Sequence, residues 1–224
     1  LCNLACRSCH GADSSFYAEK MHSPTDPFFE LDITNVPEYW ELITKAILEK
    51  HRETNRFSLL TNGGETLMQP GFLKLLDWMI DNGLSATTNL IITTNLTVNL
   101  ESLRDRLLKF RRAIFCASID SVNDNYHYVR WPAKFSKVQQ NLEEFLFVRS
   151  RWPYKYELRV SPVFSLNNIF YCVDWLNFWY NWSTENNFPL HISTIHINRP
   201  AAIMVEVLPE KYRLSLIDIL QQAV

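Results

Sequence analysis

Short apolar runs alternate along this chain with stretches whose apolar residues recur every three or four positions. The runs FSLLT (57–61), LIITT (90–94), AIFCASI (113–119), ELRVSPVF (157–164) and HISTIHI (191–197) have strand length and β-rich composition. Between them the spacing predicts helices. Over 36–53 it puts Val36, Tyr39, Trp40, Ile43 and Ile47 on one face, with Pro37 suited to the first turn. Over 71–82 it aligns Phe72, Leu75, Leu76, Met79 and Ile80, and Gly83 closes the helix. Segments 99–111 and 134–150 behave likewise, and a last helix is expected after Pro209. The segment NIFYCVDWLNFWYNW (168–182) is apolar nearly all round and predicts a buried helix. Strand–helix alternation with apolar strands predicts an α/β fold around a parallel sheet. An open doubly wound sheet and a full or partial β/α barrel both fit. In either, ligand chemistry belongs at the C-terminal ends of the strands.

Composition removes several classes of function. The 224 residues are 47% hydrophobic, enough for a substantial core. Lys and Arg number 22 against 24 Asp and Glu, a net charge of −2, which gives no global argument for nucleic acid or an anionic membrane as partner. The apolar runs are too short and too interrupted by charge to span a bilayer. The five cysteines, clustered three and two, do not form the pattern of a secreted disulfide framework, and a reducing cytoplasm fits better.

The strand ends carry the candidate chemistry. After 57–61 comes Asn62-Gly63-Gly64-Glu65-Thr66, where two glycines permit a tight turn and close approach of a polar ligand; an ordinary βα turn is the plain alternative. After 90–94 comes Asn95-Leu96-Thr97, either a ligand contact at Asn95 or a turn into a helix capped at Asn99. Ser118 and Asp120 project from one side of the third strand and suit ribose hydroxyls, or else serve turn and cap roles. In the expected connecting segment DNYHYVRWP (124–132), Arg130 offers a fork for a ligand carboxylate, with a surface ion pair as the alternative, and His127 reads as a loop histidine. Arg159 and Ser161 share one side of the fourth strand, facing a ligand or, for Arg159, an acid of the chain itself. Cys116 and Cys172 read as core thiols.

The most specific signal is LCNLACRSC (1–9), with Cys2, Cys6 and Cys9 spaced C-x3-C-x2-C. Close thiolates suit soft metals and iron–sulfur clusters. Zinc would need a fourth ligand, and His10 lies too near Cys9 to supply it easily. A four-iron cluster held by three cysteines leaves one iron open for a ligand.

Here the chain resembles the radical S-adenosylmethionine (SAM) superfamily, over nearly its whole length to about residue 206. CNLACRSC matches the family's cysteine signature, GGET (63–66) looks like its Gly-Gly-Glu-Pro motif, and SID (118–120) like its ribose-contacting strand end. SIDSVNDNYHYVRWPAKFSKV (118–138) and VLPEK (207–211) look most like the branch with twitch or SPASM extensions. The resemblance implies a partial (β/α)6 barrel, with a radical SAM core over 1–206 and a C-terminal extension beginning at 207–224. It implies a 4Fe–4S cluster on Cys2, Cys6 and Cys9 and SAM as second cofactor. The Gly63, Gly64 and Glu65 backbone then faces the SAM amino group, Asn95 joins the site, Ser118 with Asp120 meets the ribose, and Arg130 lies near the carboxylate. Reductive cleavage of SAM would give a 5′-deoxyadenosyl radical that abstracts hydrogen from a substrate. That substrate is expected to be a peptide or protein, with a small molecule as alternative, and an external donor such as a flavodoxin or ferredoxin supplies the electron. A non-catalytic metal-binding module is the reading from another class.

Three positions depart from the family pattern. Ser8 stands where many members have an aromatic residue against the adenine, and Thr66 replaces the usual proline. The chain also begins one residue before Cys2, so the barrel's first strand is expected to be missing or truncated, the cysteine loop poorly anchored and the chain a piece of a longer protein. With no cysteine after Cys172, any auxiliary cluster would have to lie beyond Val224 or be absent.

Overall fold

The computed structural model describes residues 2–9, 14–21, 36–196 and 201–222. After α1 (Ser15–Met21) the chain alternates: α2 (Pro37–Thr54), β1 (Phe57–Thr61), α3 (Pro70–Asp81), β2 (Thr88–Thr94), α4 (Arg104–Leu107), β3 (Arg112–Ala117), α5 (Asn123–Val129), α6 (Phe135–Arg151) and β4 (Tyr156–Val160). Then follow β5 (Val163–Phe164), α7 (Cys172–Glu185), β6 (Leu190–Ile192), β7 (Ile195–His196) and α8 (Glu210–Gln222). Strands β1-β2-β3-β4-β6 form one sheet in that order with every neighbouring pair parallel, and β5 pairs with β7. This is the expected α/β fold. The sheet is open, as a partial barrel requires.

One face of the sheet carries the core. Leu90, Ile92, Phe115, Ala117, Leu158 and Val160 point the same way and are fully buried. Leu76 and Met79 of α3, Leu142 and Phe145 of α6, and Trp175 and Trp179 of α7 join them in a single cluster. Phe115 meets Phe145 and Tyr156 edge-on, with ring centroids 4.9 and 5.1 Å apart, a geometry that suits the ring quadrupoles. Removing one methylene from this layer leaves a small void. Ile92→Val is therefore expected to cost about 1 kcal/mol in urea unfolding, against almost nothing for a trim at exposed Leu60.

Several expected elements change. The run 157–164 is two strands, broken at Pro162, which lacks the N–H that a continuous ladder would use. The run 191–197 breaks in step at Ser193 and Thr194, and Ile197 lies outside the described residues. The helix expected over 99–111 shrinks to a 3-10 turn at Glu101–Leu103 followed by the four residues of α4. Local side-chain bonds compete with it: Asn99 Oδ1 accepts from Glu101 N–H, Ser102 donates to Asn99 O, and Leu100 N–H goes to Asn141 Oδ1. Residues 124–132 were expected to connect elements, yet most of them form α5, which buries Tyr126 and Val129. His127 therefore sits in a helical turn rather than a loop. The helix over 168–182 is not buried all round. Trp175 and Trp179 face the core, while Leu176 and Tyr180 are exposed on the far side, because a helix covering a sheet has solvent at its back.

Candidate functional site

The cysteine loop lies across the C-terminal ends of the strands and is firmly held there. Asn3 Nδ2 donates to Thr97 Oγ1 at 2.9 Å, and Asn95 Nδ2 donates to Asn3 Oδ1 at 2.8 Å. Ala5 N–H goes to Trp131 O and Arg7 N–H to Val129 O, both at 2.8 Å, so the loop runs alongside the end of α5 like a short added strand. On its other side Ser14 donates to Leu4 O and accepts from Tyr17 N–H, while Cys2 N–H donates to Ser15 Oγ. Leu4 and Cys6 are buried beneath it. The expectation of a poorly anchored loop is thus corrected: strand ends and helices on both sides supply the anchorage.

The Glu65 side chain has a part separate from the backbone contact its motif suggests. Its side chain is fully buried, accepting from Thr94 Oγ1 and Asn95 N–H at 2.7 Å each and from Leu67 N–H at 3.3 Å. It ties the end of β1 to the end of β2, and through Asn95 to Asn3 and the cysteine loop. Burial pushes its pKa up, although the bonds from Asn95, Thr94 and Leu67 pull the other way. A carboxyl with a raised native pKa ionises first in the unfolded chain. Stability is therefore expected to fall as pH climbs from about 4.5 through the native value, and to level off above it. Melting temperature against pH should show this decline in the wild type and a flatter profile in Glu65→Gln.

Gly63 and Gly64 adopt φ of +103° and +55°, the left-handed region that favours glycine, and a Cβ at Gly63 would meet nothing within 4 Å. The space above this turn is therefore open to a ligand. Ser118 continues the ladder through its N–H to Thr94 O, is half-buried, and its hydroxyl makes no hydrogen bond among the described residues.

Asp120 and Arg130 face each other. Arg130 Nη2 lies 2.7 Å from Asp120 Oδ2 in a contact ion pair buried on both sides, and Asp120 Oδ1 accepts from Val163 N–H. Arg130 Nη1 sits 3.7 Å from Cys6 Sγ, and its buried Nε makes no hydrogen bond among the described residues. Burial opposes the guanidinium charge, but Asp120 and Cys6 outweigh it and keep Arg130 protonated. Arg130 is thus neither a surface ion pair nor a free fork. Two residues that sequence reasoning missed hold this end of β3. Asn168 Nδ2 donates to Asp120 O and Val163 O, and Trp175 Nε1 donates to Ile119 O. Their only signal was polarity inside an apolar stretch.

Two of the thiols, Cys6 and Cys2, are pushed toward their protonated forms. A hydrogen bond with Cys9 and then burial push Cys6 well above its ordinary value, with Arg130 opposing, and burial raises Cys2. Among the described residues no three His, Cys, Asp or Glu side chains converge as ligands of a single ion, and His10 lies outside them. The donor set of soft sulfurs beside a buried cation with an unpartnered N–H fits an anionic thiolate cluster. Cys116 is half-buried on β3 and Cys172 buried at the start of α7.

Among the described residues no helix is long and apolar enough to cross a membrane. No protein-family model matches the sequence, and no curated protein does. Solved structures share the fold. Native anSMEcpe with bound AdoMet superposes at a TM-score of 0.57 with 20% identity, over 89% of this chain and 50% of that one. The same protein with AdoMet and Cp18Cys peptide gives 0.54 at 22% identity, over 88% and 48%. Streptococcus suis SuiB bound to S-adenosylmethionine gives 0.58 at 15% identity, over 98% and 44%. The chain therefore spans about half the length of the structures it matches.

Proposed function

We propose that this chain is the core of a radical SAM enzyme acting on a peptide or protein. The observation that carries it is the junction at Cys6. There a cysteine of the C-x3-C-x2-C loop, the Arg130 guanidinium and the Asp120 end of β3 come together beside an open glycine turn. The shared fold with structures that hold AdoMet, one of them with a peptide, supports the reading. Cys2, Cys6 and Cys9 would hold a 4Fe–4S cluster, and Arg130 offsets the negative charge that thiolates bring into a buried site. Gly63 and Gly64 present backbone to the SAM amino group, and Ser118 offers its free hydroxyl to the ribose. Glu65, Asn95 and Asp120 act by position, holding the strand ends and the loop in register. The cluster with SAM supplies the chemistry: one-electron cleavage to a 5′-deoxyadenosyl radical able to abstract hydrogen. The electron would come from a flavodoxin or ferredoxin. Residues 1–206 form the core, and α8 begins an extension, since it leaves Leu214 and Ile217 exposed and buries only Leu216 among its described side chains.

Anaerobic reconstitution with iron and sulfide, then dithionite and SAM, should yield 5′-deoxyadenosine. A protein that binds one zinc per chain, shows no visible charge-transfer absorbance and leaves SAM intact would instead be a metal-binding module. Mass spectrometry of peptide and small-metabolite pools after turnover separates the two substrate classes.

A further inference from the structure

The face of the sheet opposite the core is half open, and among the described residues its charges do not balance. Its side chains stand in layers: Leu60, Ile91, Ile114 and Glu157 in one, and Thr93, Cys116, Arg159 and His191 in the next layer toward the strand ends. Arg112 Nη1 donates to Glu157 Oε2 at 2.9 Å, and Arg159 donates through Nε to Glu157 Oε1 at 2.7 Å, with Nη2 equally close. Two guanidiniums thus share one carboxylate. The Arg112 and Arg159 side chains are about two-fifths exposed, while Glu157 is 17% exposed. A guanidinium has five N–H donors, and among the described residues most of theirs have no partner, Arg159 Nη1 among them. The neighbouring positions toward β1 are apolar, and Leu60 is 64% exposed.

We infer that this face is the substrate floor and that Arg159 is its specificity residue, taking the carboxylate of an acidic peptide side chain while Leu60 and Ile91 take a neighbouring apolar one. The inference rests on the proposed function for the position of the substrate. It adds the substrate's chemical class, which the shared fold does not supply. A planar guanidinium already oriented by Glu157 loses little rotamer freedom when it accepts a second carboxylate. Glu157 therefore both aims Arg159 and competes for it. This gives the arrangement a signature that a purely structural ion pair lacks: removing the competitor strengthens binding.

The test is fluorescence anisotropy with fluorescein-labelled decapeptide amides whose central residue, Glu, Gln or Lys, is flanked by leucines. The wild-type chain is expected to bind the Glu peptide about tenfold more tightly than the Gln peptide, with the Lys peptide weakest and the preference shrinking at high salt. Arg159→Gln should reduce the Glu-over-Gln preference to less than twofold. Glu157→Gln should raise affinity for the Glu peptide severalfold, a gain that misfolding could not produce. Equal binding of the three peptides, binding of none, or weakened binding in Glu157→Gln overturns the inference. The readout needs no SAM cleavage, so 5′-deoxyadenosine formation tests the proposed function separately.

Discussion

Cys6→Ala is expected to abolish both iron retention and 5′-deoxyadenosine formation while leaving the fold in place. The reasoning separates the thiol from the loop that carries it. The loop's position is fixed by backbone groups at Ala5 and Arg7 and by the Asn3 side chain, none of which the substitution touches. Trimming the Cys6 sulfur from its buried position should cost stability only about 1 kcal/mol. Circular dichroism and urea unfolding would therefore stay close to wild type. The reconstituted protein would lose its visible absorbance, because a cluster cannot be held by two thiolates on this loop. Cys116→Ala and Cys172→Ala serve as controls, since both thiols lie away from the loop and should retain iron. Full iron content in Cys6→Ala would remove the proposed cluster site.

Arg130→Met is expected to be the most destabilising single change near the site, by about 3–5 kcal/mol in urea unfolding. Methionine replaces much of the volume, so packing is not the main loss. The cost comes from Asp120, which would stay buried with only the Val163 N–H to satisfy it. Adding Asp120→Asn removes the stranded charge, and the double variant should recover a large part of the deficit. A loss below 1 kcal/mol in the single variant would show that the pair is solvated rather than buried. The same replacement leaves the thiols without their neighbouring cation, so iron uptake in the double variant should remain weaker than wild type even where stability returns.

The sequence showed the fold best where pattern and packing coincide. The runs at 57–61, 90–94 and 113–119 are apolar on the face that meets α3, α6 and α7, and all three became neighbouring parallel strands. Apolar content without regard to sides misled at 168–182, where aromatic residues face solvent as well as core. Glycine spacing marked the turn at Gly63 correctly. The roles of Glu65 and Asp120 were not legible, because a motif names a residue without saying which way its side chain turns. Each carboxylate is directed inward by donors that arrive from distant segments: Thr94 and Asn95 for Glu65, and Arg130 and Val163 for Asp120. Asn3, Asn168 and Trp175 were hard to single out, since each has a partner tens of residues away.

The tether from Asn3 through Asn95 to Glu65 has a thermodynamic consequence. In small zinc domains the ligating loops are disordered without metal, so binding free energy is spent on folding and a chelator unfolds the protein. Here the ordering entropy of the cysteine loop is met when the sheet forms, by bonds that involve no sulfur. With the proposed cluster, the apo and holo states would then share one backbone. Iron affinity would report the thiolates and the nearby cation alone, and stripping the metal would leave a folded protein ready to be reloaded.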